Sequence, residues 1–185
     1  MADPMIAARK APLAGVHGGS GVASLTTAAP ATRLSLRAKP DAIAALSAAL
    51  NITLPVRPKG STSANGRHAL WLGPDEWLLI DENEADLMAI AATSGVLHSA
   101  TDVSHRNTAI IVKGPRATVA LNGVTPHDLS PASFPAGACT RTVLGKMEAV
   151  IFRTADDTYR VECWRSFATY AFGMLAEAAE DAANG

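Results

Sequence analysis

The chain has 185 residues, 48% hydrophobic and 18% charged, with a formal net charge of -1 from 16 basic and 17 acidic side chains, enough for one substantial domain or two small fused ones. The charges are interspersed, with no basic stripe for a phosphate backbone and no acidic tail, which excludes nucleic acid as an expected partner. No stretch approaches the roughly 18 apolar residues of a membrane span, so no membrane partner is expected either.

Residues 1–32, rich in Ala, Gly, Ser and Pro and without periodicity, read as an arm. It is either disordered or laid extended on a partner subunit, where Pro12 and Leu13 would pack. The segment Thr32-Arg33-Leu34-Ser35-Leu36-Arg37 alternates polar and apolar residues as a half-buried strand does. Pro40 and Asp41 suit a helix start, Ile43, Leu46 and Leu50 share one face, and Asn51 can end the helix. A proline-bearing loop over 52–65 leads to two apolar runs, Leu70-Trp71-Leu72 and Trp77-Leu78-Leu79-Ile80, joined by Gly73-Pro74-Asp75-Glu76. Gly-Pro between apolar runs predicts a hairpin. Trp71 and Trp77 make it a main source of core or interface burial, since one such ring removes on the order of 150 to 250 Å² from water. Acidic residues over 81–86 match the positive end of a second helix, with Leu87, Ile90 and Ala91 inward and Gly95 as its stop. Residues 96–104 read as a strand made polar by His98 and Asp102.

This order of strand, helix, strand, strand, helix, strand is the split βαβ or ferredoxin-like arrangement, and the remainder nearly repeats it. A strand over 108–113 precedes Gly114-Pro115, which opens a short helix closed by Asn122-Gly123. A proline-rich loop covers 125–137; strands over 139–144 and 148–154 pair across Gly145-Lys146, and a third follows over 158–164. Ser166 suits an N-cap, and Phe167, Tyr170, Ala171, Met174, Leu175 and Ala178 recur at helical spacing. The expected fold class is α+β: a single domain over 33–185 made of two ferredoxin-like halves, about 33–104 and 105–185, with antiparallel sheets and helices packed on them.

Chemistry is sparse. Asp102, Ser104 and His105 lie within four positions, but neighbours on a strand point to opposite faces, so strand-end hydrogen bonding is favoured over a nucleophilic triad. His17, His68, His98, His105 and His127 show no HxH or HExxH spacing. Cys139 and Cys163 match neither a zinc knuckle nor a CxxC pair and are expected as reduced core thiols. Gly114-Pro115-Arg116-Ala117 has one glycine, and its proline lacks the amide that a phosphate loop needs. Asp75-Glu76 and Asp156-Asp157 fall at turn tips, where the shielding that acid-base work wants is missing. The first ten residues have no continuous apolar segment, being broken by Arg9 and Lys10, so a cytoplasmic location is expected.

Taken in order, Leu72-Gly73-Pro74-Asp75-Glu76-Trp77-Leu78-Leu79, Asp102-Val103-Ser104-His105-Arg106, Gly114-Pro115-Arg116-Ala117, Leu144-Gly145-Lys146 and Arg165-Ser166-Phe167-Ala168-Thr169-Tyr170 resemble the gamma subunit family of heterotetrameric sarcosine oxidase. Ala11-Pro12-Leu13-Ala14-Gly15 resembles the short proline-leucine segment near that family's start. The stretch from Asp102 through Leu129 is also similar to the aminomethyltransferase, or glycine-cleavage T-protein-like, superfamily, which implies a T-protein-like fold. The resemblance implies a complex that oxidises sarcosine to glycine, passes the one-carbon unit to tetrahydrofolate and yields hydrogen peroxide. It implies alpha, beta and delta subunits as partners, with FAD, FMN, NAD, zinc and tetrahydrofolate held by those subunits and no cofactor, metal or catalytic residue expected on this chain. Pro12, Leu13, Trp71, Asp75, Glu76, Trp77, Arg106 and Arg165 are the candidate subunit-interface residues. The alternative is a stand-alone folate-derivative binder or aminomethyltransferase-like protein, and fold analogy adds a regulatory small-ligand module, with Arg106 or Arg165 as its anion contact.

Overall fold

Leu34 and Leu36 on one face of a strand, and Arg33 and Ser35 on the other, set the pattern from which the first half grows. The structure is a computed structural model and describes residues 12–185. Residues 1–11 of the expected arm, including Ala11 of the proline-leucine segment, lie outside the described residues.

Two short strands come first, β1 (His17–Ser20) and β2 (Ala23–Thr27), followed by β3 (Thr32–Ala38). A 3-10 turn (Pro40–Ala42) leads into α1 (Ile43–Leu50), which Asn51 ends in the left-handed conformation at φ 50°. Then come β4 (Ser61–Ala64), β5 (Arg67–Gly73), β6 (Glu76–Asp81), α2 (Leu87–Ala92) and β7 (His98–Asp102). Asp86 caps α2, its Oδ1 accepting from the Ala89 amide at 3.0 Å. These strands form an antiparallel five-stranded sheet in the order β4-β5-β6-β3-β7. The second half adds β8 (Asn107–Lys113), α3 (Ala117–Asn122), β9 (Cys139–Leu144), β10 (Met147–Ala155), β11 (Thr158–Trp164), a 3-10 turn (Arg165–Phe167) and α4 (Ala168–Asn184). Its antiparallel sheet runs β1-β2-β8-β11-β10-β9.

Three expectations are corrected. Residues 17–20 and 23–27, expected in a disordered or extended arm, form strands paired within this chain's own sheet. α4 returns no strand to the second sheet, and β2 fills the place beside β8, from Ser24 opposite Lys113 to Thr27 opposite Ile110. The loop over 52–65 contains β4, which turns into β5 through Asn65 and Gly66 at φ 51° and 77°. Two adjacent residues at positive φ are what a tight hairpin turn demands. Ser166 is no N-cap: the 3-10 turn intervenes after extended Trp164, and α4 begins without a side-chain cap.

The layers run helices, sheet, sheet, helices. α1 and α2 cover one face of the first sheet, burying Leu34, Leu36, Leu46, Leu50, Trp77 and Leu79. α3 and α4 cover the second sheet over Ile110, Val112, Leu144, Ile151, Val161 and Leu175. Between the sheets, Leu70, Leu78 and Ile80 meet Cys139, Val150 and Phe152. At about 25 cal/mol per Å² of buried apolar area, these three layers dominate stability.

Candidate functional site: the seam between the sheets and its aromatic rim

The polar positions of β3, β6 and β11 face each other across the middle layer. Arg33 Nε donates to Glu162 Oε2 at 2.6 Å, and Arg160 Nε donates to Glu162 Oε1 at 2.8 Å. Arg160 Nη1 reaches back across the seam to Glu82 Oε1 at 2.9 Å. Nearer one end, Arg141 grips Glu76 with two bonds of 2.8 and 3.0 Å, and Arg37 adds a third at 2.8 Å. Each pair but the one within β11 and the one between Arg37 and Glu76 joins one sheet to the other. Burial costs such charges their hydration, which the doubled guanidinium contacts offset. Beside these pairs lies a small cleft of about 60 Å³, lined by Ser35, Glu76, Arg106, Asn107, Glu148 and Trp164 among others. Asn107 Oδ1 is buried at its edge without a hydrogen-bond partner.

Glu76 and Glu162 are thus saturated by arginines. Burial pushes the Cys139 and Cys163 thiols up to about 12, so both free cysteines are neutral. Asp81 ends β6 with Arg67 Nε at 2.7 Å and the Asn83 amide at 2.9 Å. Burial would raise its pKa, but these bonds and that from the Ala85 amide win and hold it below the ordinary aspartate value. The arrangement ties two sheets together.

The Asp102 cluster is likewise local. The Ser104 amide donates to Asp102 Oδ1 at 2.7 Å, and Ser104 Oγ accepts from the Arg33 amide at 2.8 Å. Hydrogen bonds from Ser104 lower the Asp102 pKa, while His105 stands exposed. Among the described residues, no group of three or more His, Cys, Asp or Glu is placed to hold a metal ion, and no helix is long and apolar enough to cross a membrane.

The candidate interface residues separate by depth. Trp77 is fully buried under α1 and α2, with Nε1 donating to the Pro55 carbonyl at 2.7 Å. Leu13 is buried in the second half's core, and Glu76 is almost covered by its arginines. Pro12 and Trp71 are half-buried, and Asp75, Arg106 and Arg165 are exposed. Asp75 lies 3.8 Å from Arg37. The guanidinium of Arg106 lies 5.1 Å from the centre of the Trp164 ring, and Trp164 tilts against Phe167 with centroids 6.0 Å apart. Sequence reasoning did not single out Arg33, Arg160 and Glu162. Their signal is a charge at alternate positions, Arg160 and Glu162 on β11 between Tyr159, Val161 and Cys163, and Arg33 beside Leu34 on β3.

The sequence pattern of the family described as sarcosine oxidase, gamma subunit, matches residues 35–181. The chain is 31% identical over 165 residues to the sarcosine oxidase subunit gamma of Corynebacterium sp. (strain U-96), covering 86% of this chain and 80% of that one. It is 32% identical over 147 residues to the subunit gamma of Arthrobacter sp., covering 77% and 72%. Among solved structures, it superposes on a chain of the heterotetrameric sarcosine oxidase from Corynebacterium sp. U-96 in complex with pyrrole 2-carboxylate. There the TM-score is 0.86 at 28% identity, covering 94% of this chain and 95% of that one. The glycine cleavage system aminomethyltransferase T from Bartonella henselae gives a TM-score of 0.61 at 15% identity, over 83% of this chain and 45% of that one, which establishes a T-protein-like fold and nothing further.

Proposed function

Because the chain belongs to the sarcosine oxidase gamma subunit family, we propose that it is the small, noncatalytic subunit of a heterotetrameric sarcosine oxidase. In this reading it supports assembly of a cytoplasmic complex that oxidatively demethylates sarcosine to glycine, with hydrogen peroxide and 5,10-methylenetetrahydrofolate as products. Alpha, beta and delta subunits are its partners, and FAD, FMN, NAD, zinc and tetrahydrofolate sit on them. The observation that carries the proposal is the near full-length likeness to a chain of an oxidase that is itself a heterotetramer. Saturated carboxylates at the seam and neutral buried thiols on either side of the second sheet support a structural role. We also read each sheet with its two helices as one split βαβ half. The order of edge, second, third, first and fourth strand runs β4-β5-β6-β3-β7 in one sheet, and the other runs β9-β10-β11-β8 with β2, from the N-terminal hairpin, in the fourth place and β1 beyond it.

The test is co-expression with alpha, beta and delta subunits. The expected result is that the chain co-purifies stoichiometrically and that omitting it lowers the yield of complex able to form peroxide from sarcosine. A chain that stays monomeric beside an intact, fully active set of the other three would sink the proposal. Calorimetry of the isolated chain with tetrahydrofolate separates it from a stand-alone folate binder, which would give heat.

A further inference from the structure

The chain carries three tryptophans, two tyrosines and four phenylalanines. Trp77, Tyr159, Phe134 and Phe152 are buried, and Trp71 and Phe172 are half-buried. The remaining three, Trp164, Phe167 and Tyr170, are 40%, 43% and 42% exposed and fall at intervals of three residues. They run from the end of β11 through the 3-10 turn into the first turn of α4, so one short segment holds every exposed Trp, Phe and Tyr ring of the described residues. Singly exposed aliphatic residues, such as Leu97 at 85%, are ordinary on a protein surface. Exposed Trp, Phe and Tyr rings at three-residue spacing, the first two in contact and the first under an arginine, have the composition of an interface hot spot. The strip is also rigid, because Ala168 and Ala171 anchor its backbone in the core. Little ordering entropy is then lost on docking.

Cations stand at both ends. Arg106 lies over Trp164, and the tip carrying Lys146 adjoins the other end, where a Cβ on neighbouring Gly145 would come within 2.8 Å of the Tyr170 hydroxyl oxygen. Glu148, an exposed carboxylate lining the cleft together with Arg106 and Trp164, acts on Arg141. A second copy of the chain packed isologously here would bring these cations together, which like-charge repulsion disfavours.

We propose that the strip Trp164, Phe167 and Tyr170, flanked by Arg106 and Lys146, is the surface on which a neighbouring subunit of the complex sits. The docking segment is apolar, with carboxylates facing the two cations. This rests on the reading of the chain as an assembly subunit.

The test measures association of the full-length chain with the rest of the co-expressed complex. Trp164→Ala and Phe167→Ala should each weaken association by about 30-fold or more, the loss typical of a hot-spot ring. Leu97→Ala should leave it unchanged. Wild-type association should weaken with added salt, and Arg106→Gln with Lys146→Gln should flatten that dependence. Thermal melts of the isolated variants establish that they are folded, and Tyr170→Lys supplies a further surface variant should either ring truncation misfold. If the wild type itself does not join the complex, the assembly reading falls. If it joins and folded strip variants join equally well, the docking surface alone is overturned. A salt dependence unchanged in the double glutamine variant overturns the acidic partner.

Discussion

Glu162 lies on a strand whose neighbours Val161 and Cys163 are buried in the opposite layer, and both its oxygens are taken by guanidinium groups. Its 1% exposure means that removing the charge leaves Arg33 buried without its counter-ion and Arg160 with Glu82 alone. Arg160 Nη2 already lacks a partner. Glu162→Gln is therefore expected to cost about 3–5 kcal/mol of stability, the range for breaking a buried pair on one side, read by urea denaturation. Arg33 shows where sequence reading stops at this scale. The alternation in Thr32 to Arg37 marks a strand, and it marks Leu34 and Leu36 as buried. It cannot say that the polar face is covered as well, because an arginine facing water and an arginine facing a distant glutamate have the same spacing.

At the scale of elements, the N-terminal hairpin of β1 and β2 decides whether the second sheet is complete. Its turn locks onto the start of α3: the Arg116 amide donates to the Val22 carbonyl at 3.0 Å. Gly114, at φ 143°, lies so close that a Cβ there would sit 2.4 Å from the same oxygen. The Gly114-Pro115 signal was legible as a helix start, but its reason is this backbone contact with a segment ninety-odd positions earlier in the chain. A chain beginning at residue 29 loses Leu25 from the core and bares the edge of β8. Burial of that leucine alone is worth about 1.5–3 kcal/mol, so the truncated chain is expected to lose at least about 3 kcal/mol and to aggregate, as denaturation and light scattering would report. The loop reading of 52–65 passed over the turn signal of Asn65-Gly66 between β4 and β5, whereas β2 carries hardly any signal, since Ala23-Ser24-Leu25-Thr26-Thr27 alternates weakly and its partner lies far away in sequence.

For the whole molecule, the two helix-covered sheets meet along a layer that is part apolar and part ionic. His68 belongs to it, with its ring edge toward Phe152 of the opposite sheet at 5.5 Å and Nδ1 at 2.8 Å from the Ser63 hydroxyl. Burial lowers its pKa below 6.5, and the charge of Arg160 works the same way against the pull of Glu82 and Asp81. The unfolded chain therefore takes up this proton first, and stability falls as the pH drops through 6.5 toward the folded value. His68→Gln, which cannot take up that proton, is expected to flatten this limb of the stability curve, measured as denaturation midpoint against pH.

By itself the sequence determined the strands and helices with strong periodicity, the hairpin at Gly73-Pro74, and the family to which the ordered motifs belong. These follow from local spacing and turn chemistry, which a linear string carries in full. Only the tertiary structure decided that Trp77 is spent inside the chain, that Glu76 and Glu162 fasten one sheet to the other, and that β2 completes the second sheet. It alone gathered Trp164, Phe167 and Tyr170 with Arg106 at one rim. Burial and pairing depend on what another segment brings from far along the chain, and spacing within one element holds no record of that.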